Sequence, residues 1–201
     1  MSAVSPPPVD LIRETSLPEL AAQGPTPARR GDPRATLDRR GRGTPLVPLL
    51  AFGALTALAA GIGARVTASR RTFAWYHALA KPSFTPPDRA FGLVWPVLYG
   101  LTAASAARVW RARHAPEGKR ALALWSAQLL LNAAWTPIFF GARRPGAALA
   151  DLAATFLAAA EYARAAAKVD RGATWLVLPY VSWLAFAGAV NTGVVIENRD
   201  R

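Results

Sequence analysis

Four stretches of the chain run for 18 residues or more without a charged side chain: residues 46–64 (19 residues), 90–107 (18), 121–142 (22) and 173–196 (24). A helix rises about 1.5 Å per residue, so roughly 20 apolar residues cross the ~30 Å hydrocarbon core of a bilayer. Each run therefore predicts a membrane-spanning helix. A fifth segment, residues 146–167, is Ala-rich but carries Asp151, Glu161 and Arg164. Asp151 falls in its first two turns, where the helix dipole and the interface tolerate a carboxylate. Glu161 precedes Arg164 by three residues, close enough to pair. The predicted fold is all-α: an integral membrane bundle of five transmembrane helices, with a long loop, residues 65–89, between the first and the second.

The rest of the chain has a different character. Residues 1–45 hold 8 of the 17 Pro, seven Arg and five acids, with no aromatic residue and no apolar periodicity. That composition predicts a disordered tail ahead of a membrane domain at residues 46–201. The first apolar run begins too late for an ordinary signal peptide. Five acids also argue against an organelle transit peptide.

A net charge of +12 and a pI near 11.4 would point to nucleic acid in a soluble protein. Here the cations sit in short clusters between uncharged runs, as in loops flanking membrane helices, so nucleic acid is not an expected partner. Five crossings place 15 Lys and Arg on the side of the tail and 9 on the other. The positive-inside rule then puts the N-terminus in the cytoplasm, of a bacterial cell membrane in our reading. Zero Cys excludes a disulfide framework, a thiolate metal site and a cysteine nucleophile, and two His exclude a multi-histidine centre. No metal site is expected.

Three features could carry chemistry. The 65–89 loop contains Trp75-Tyr76-His77 followed by Lys81-Pro82-Ser83-Phe84-Thr85-Pro86-Pro87. Three Pro in six residues stiffen it, which suits either a lid over a cavity or an interfacial aromatic belt. The second span pairs Trp95 with Tyr99 one turn away, around a kink-prone Pro96. The third carries Asn132, Trp135 and Thr136 at i, i+3 and i+4, and the fifth lines up Tyr180, Trp183, Ala187 and Asn191. An amide in mid-membrane is costly unless it bonds another helix, a ligand or water. These stripes fit a cavity for a flat, largely apolar ligand, or helix packing with Asn as interhelical glue. Gly53, Ala57 and Gly61 read as a helix-contact or dimer face. Of the two His, either could ligate haem in principle, but His114 reads as solvated and His77 as part of the loop.

Taken together, Trp75-Tyr76, the Lys81 to Pro87 stretch, Trp95, Tyr99, Asn132-x-x-Trp135, Phe139-Phe140, Pro179-Tyr180, Trp183 and Asn191 resemble the tryptophan-rich sensory protein/translocator protein family (TspO/MBR), over about residues 46–196. The resemblance implies a five-helix bundle, often a homodimer, with a pocket beneath the first loop that binds porphyrin or haem as ligand and requires no cofactor. In some members the pocket takes sterols or isoquinoline and benzodiazepine drugs. Carried over residue by residue, it assigns ligand contact to Trp75, Tyr76, Pro86, Trp95, Tyr99, Asn132, Trp135, Trp183 and Ala187. It also matches Trp95 and Trp183 to a pair linked, in bacterial relatives, to light-dependent porphyrin breakdown. Lys81 or Arg89 at the rim could pair with propionates, an inference from charge alone. Residues 190–199 lack the central Tyr of the animal sterol-recognition stretch, so cholesterol transport is not expected. The expected function is a tetrapyrrole receptor or carrier in porphyrin homeostasis or stress sensing, with membrane lipid and a second copy as partners. The alternative is a small proton-coupled transporter of hydrophobic metabolites or cations, which would need a membrane-buried carboxylate such as Asp151 or Glu161.

Overall fold

The computed structural model describes residues 45–199; the expected disordered tail, up to residue 44, lies outside the described residues. Described residues form α1 (Leu46–Thr67), α2 (Arg70–Ala78), α3 (Asp88–Val109), a 3₁₀ turn (Trp110–Ala112), α4 (Pro116–Thr136), a widened helical turn (Pro137–Gly141), α5 (Pro145–Ala167) and α6 (Arg171–Glu197). There is no strand among them. Five helices are long. Four of these, α1, α3, α4 and α6, the middle two counted with the turns that follow them, are long and apolar enough to cross a membrane. α5 is not one of the four, because its carboxylates lower its mean hydropathy.

Helix boundaries follow from Pro and one Asp. Pro116 and Pro145 occupy the first position of α4 and α5, where a missing N–H is harmless and a fixed φ favours the helix. Pro86-Pro87 hold the approach to α3 extended, and Asp88 then sits in its first turn, favourable to the helix dipole. Asp170 caps α6: its Oδ1 accepts from the amides of Gly172 (2.8 Å) and Ala173 (3.2 Å). The loop at 65–89 is not irregular throughout, as residues 70–78 form α2. Thr72, Trp75 and Tyr76 lie at i, i+3 and i+4 and turn one face inward, enough burial to order a short helix.

Spatial order differs from chain order. α1 packs on α3 and α4, α4 on α5, α5 on α6, and α6 on α3, so the five long helices close a ring in the order α1, α3, α6, α5, α4. At the end of the ring near the α3–α4 and α5–α6 connections the interior is solid. Ala103, Ala106, Ala107, Ala159, Ala165 and Ala173 are buried there and let backbones approach closely. Trp125 is fully buried, edge-on to Phe52 at 4.7 Å, and its Nε1 donates to the Thr102 carbonyl at 3.1 Å. Ser105 Oγ donates to the Ala173 carbonyl (2.7 Å) and accepts from the Tyr162 hydroxyl (2.6 Å), joining three helices. Outside this core Arg108 pairs with Asp170 at 3.0 Å, and Glu161 pairs with Arg164, as its spacing predicted, and with Arg120.

The Gly53-Ala57-Gly61 stripe does not face a neighbouring helix of the bundle closely. A Cβ at Gly53 or Gly61 would meet nothing within 4 Å, and Ala57 is exposed, so of the two sequence readings the intramolecular one fails and the face points outward.

Candidate functional site

At the opposite end the ring is not filled. A cavity of about 550 Å³ lies under α2 and the 79–87 segment, in the size range of small-molecule sites. Its walls repeat at helical spacing: Phe91, Trp95 and Tyr99 on α3; Asn132, Trp135, Phe139 and Phe140 on α4 and its widened turn; Ala187, Asn191 and Val194 on α6. α1 contributes small residues, Ala59, Ala60, Gly63 and Ala64. Gly63 keeps α1 close to the α4 wall: a Cβ there would lie 3.3 Å from Thr136 Oγ1, a tight contact that the Thr136 side chain would have to relieve.

Two Pro shape this space. Pro96 has no N–H for the Gly92 carbonyl, and both residues line the cavity. Pro137 ends α4's regular pattern, and the next turn is wider, with the Ala142 amide donating to the Pro137 carbonyl at 2.8 Å. The wider turn aims the consecutive Phe139 and Phe140 at the cavity. Their rings make an aromatic cluster with Trp135, which stacks on Phe139 at 4.9 Å with planes 20° apart.

Polar groups in the walls bond across helices. The Tyr99 hydroxyl donates to Asn132 Oδ1 at 2.6 Å, joining α3 to α4. Trp135 Nε1 donates to Asn191 Oδ1 (3.2 Å), and Asn191 Nδ2 donates to the Pro145 carbonyl (3.0 Å), joining α4, α6 and the start of α5. The amides therefore act as interhelical glue and as cavity wall together, so the two readings of the stripes do not exclude one another. Tyr180, in the same α6 stripe, is buried away from the cavity and donates to Gln128 Oε1 at 2.7 Å.

The mouth carries the charge. Lys81 Nζ lies 4.5 Å above the Tyr76 ring and donates to the Leu79 carbonyl at 3.1 Å. Asp88 Oδ2 lies 3.2 Å from His77 Nε2. Burial, and secondarily the Asp88 charge, push the Tyr76 hydroxyl above its usual pKa, so it stays a neutral donor. His114 is exposed, far along the chain from this cluster.

Of the nine residues matched to ligand contact, six line the cavity: Tyr76, Trp95, Tyr99, Asn132, Trp135 and Ala187. The other three stand one layer back or beside it. Trp75 packs against Phe139 (5.7 Å) and Phe140 (6.4 Å), with the Arg143 guanidinium over its outer face. Trp183 lies edge-on to Trp95 at 6.5 Å and to Phe91 at 5.8 Å. Pro86 follows Thr85 and stands two residues before Asp88, both of which do line it. Of the two rim cations, Lys81 lines the cavity and Arg89 does not. Phe139, Phe140, Phe91 and Asn191 were left out of the ligand set, yet each continues a stripe already seen. Phe91 lies four residues before Trp95, Phe139 and Phe140 lie four and five after Trp135, and Asn191 lies four after Ala187.

Comparison with known proteins agrees with this architecture. Residues 51–196 match the TspO/MBR family. The chain is 37% identical over 159 residues to a translocator protein of Bos taurus, covering 78% of this chain and 94% of that one. It is 38% identical over 149 residues to a tryptophan-rich sensory protein of Cereibacter sphaeroides, covering 73% and 92%. Protein CrtK of Rhodobacter capsulatus is 39% identical over 124 residues, covering 60% and 76%. With the matched region spanning all five long helices but for the first turn of α1 and the last residue of α6, and the cavity within it, this integral membrane protein belongs to the TspO/MBR family.

Proposed function

We propose that the protein is a membrane receptor or carrier for tetrapyrroles such as protoporphyrin or haem, acting in porphyrin homeostasis or stress sensing. The observation that carries this reading is the 550 Å³ cavity with indole, phenol and phenyl rings on three helices and a cation at its mouth. Aromatic faces suit a flat macrocycle, and an ammonium suits its carboxylates. The outward Gly53-Ala57-Gly61 face supports pairing with a second copy through α1. The excess of cations on the tail side supports an N-terminus in the cytoplasm, here of a bacterial cell membrane.

The test is a titration of detergent-solubilised protein with protoporphyrin in the dark, followed by Trp fluorescence. Saturable quenching that weakens in Trp95→Phe supports the reading, and quenching that never saturates overturns it. Repeating the titration under light addresses porphyrin breakdown, which the Trp95–Trp183 pair favours: the Trp183 indole N–H is buried with no hydrogen-bond partner and its ring abuts the cavity wall. Loss of the porphyrin absorbance in wild type but not in Trp183→Phe is the expected result if turnover occurs.

The proton-coupled transporter is the second reading, favoured by one observation. Asp151 Oδ2 in α5 is buried and has no hydrogen-bond partner. If Asp151→Asn abolishes transport in proteoliposomes while porphyrin quenching is unchanged, this reading replaces the first.

A further inference from the structure

The cavity mouth is fastened by a residue at the far end of the chain. Asn198, just past the end of α6, mimics a peptide group: its Oδ1 accepts from the Ala80 amide (3.1 Å) and its Nδ2 donates to the Ala80 carbonyl (2.8 Å). The same Nδ2 also donates to the Val194 carbonyl (2.8 Å), which ties the side chain to the last turn of α6. Residue 80 is thus held at both backbone polar groups by one amide, 118 positions away. A second contact sits one turn earlier on α6. Gly193 leaves room for the Pro82 ring: a Cβ there would come within 2.6 Å of Pro82 Cγ, and Pro82 is buried. Between these two anchored residues lies Lys81, the cation that lines the cavity.

We propose that Asn198 is the positioning residue for Lys81: by clamping residues 79–82 onto the end of α6, it holds the ammonium at the mouth to receive the carboxylate of a flat, apolar ligand. This rests on the binding reading above and narrows it to ligands bearing an acid group. An ammonium has three donors. One goes to the Leu79 carbonyl and the Tyr76 ring lies beneath the group, which fixes its position and leaves donors for a ligand. The nearby carboxylate at the mouth, Asp88, is engaged by His77 Nε2. Without the clamp, the flexible four-carbon stem of Lys81 would ride on a free strap, and the charge would no longer be held against the site.

The test compares protoporphyrin with its dimethyl ester, which has the same macrocycle and no carboxylate, on the full-length protein in detergent. For the wild type the acid is expected to bind about tenfold more tightly than the ester, the size of one charge-assisted hydrogen bond. Lys81→Gln and Asn198→Ala should each remove most of that ratio, and Asn198→Ala, at a residue outside the cavity lining, should leave ester affinity within about twofold. The double variant should lose no more than either alone, because both act through one contact. Amide exchange over residues 80–85 should speed up in Asn198→Ala but not in Lys81→Gln. If Asn198→Ala weakens acid and ester equally, the clamp only supports the fold and the proposal is overturned. It is overturned too if the acid-to-ester ratio survives. If the wild type binds neither compound, the functional reading fails, and with it the acid-positioning role, whereas saturable binding with a ratio near one leaves the functional reading standing and removes only this proposal. Gly193→Ala serves as a second variant, since displacing Pro82 should lower the ratio with Asn198 intact.

Discussion

At the scale of the residue, what a side chain touches decides its role more than its type does. Trp95 and Trp183 are the same residue on facing helices, yet Trp95 lines the cavity and Trp183 stands behind it. Removing each ring should therefore act differently: Trp95→Phe should weaken porphyrin binding directly, and Trp183→Phe should do so by a smaller factor, both read by quenching titration. Tyr99→Phe removes the one hydrogen bond that Asn132 Oδ1 accepts among the described residues. In a low-dielectric interior an orphaned carbonyl costs about 1–3 kcal/mol, so thermal unfolding in detergent should show a clear loss without loss of helicity. The polar and aromatic stripes were legible because a helical period of three to four repeats in the letters. The depth of each ring was not. Trp75 and Trp183 share a face with cavity residues, and only the neighbouring helix determines whether Phe139 or open space comes next.

At the scale of the element, chemistry marks the boundaries: Pro at the start of α4 and α5, Pro86-Pro87 before α3, and Asp170 at the start of α6, whereas the charge-free runs begin α4 five residues and α6 two residues too late. α2 was missed because nine residues that open on two Arg and include a His carry little periodic apolar signal; its order comes from Trp75 and Tyr76 packing on the α4 turn. Gly118 gives an element-level prediction. It lies in the first turn of α4 directly against the Ala112 backbone carbonyl, where a Cβ would overlap the oxygen. Gly118→Ala should destabilise the protein by about 2–3 kcal/mol, since backbone cannot rotate aside as a side chain does, and the melting temperature should fall accordingly. The cap of α6 gives a pH prediction. Burial raises the pKa of Asp170, but the hydrogen bond and charge of Arg108 and the amides of Gly172 and Ala173 outweigh it, leaving it below the ordinary aspartate value of 3.8. A depressed pKa means the carboxylate stabilises the fold above 3.8 and that contribution is lost as pH falls through the folded value. Asp170→Asn should lower the melting temperature at neutral pH and flatten its decline under acid, as followed by circular dichroism.

At the scale of the whole molecule, the number and approximate ends of the long helices were legible from charge-free runs, and even α5, the weakest of them in hydropathy, takes its place in the ring. Their order around the ring was not legible, because hydropathy carries no record of which apolar face meets which. Orientation depends on the tail. Without residues 1–44 the cations divide 8 against 9, so the positive-inside rule loses its preference. Deleting them should yield a mixed topology, measurable by the accessibility of single cysteines placed in the otherwise Cys-free 3₁₀ turn and in the 142–144 connection.

The ring order also sets a timetable for assembly. Among the described residues α1 is the first long helix to be made, yet its two partners are α3 and α4, and the ring closes only when α6, the last of the five, meets α3. Early in synthesis α1 and α3 can pair, but the cavity has no third wall until α4 arrives and no floor until α6 does. The strap at residues 79–82, made before the second span, stays unclasped until residue 198 has been translated. The fastening of the mouth is thus among the latest of the described contacts that the nascent chain can make. A chain that stops short of residue 198 but keeps every long helix should leave the strap without the two hydrogen bonds that hold residue 80.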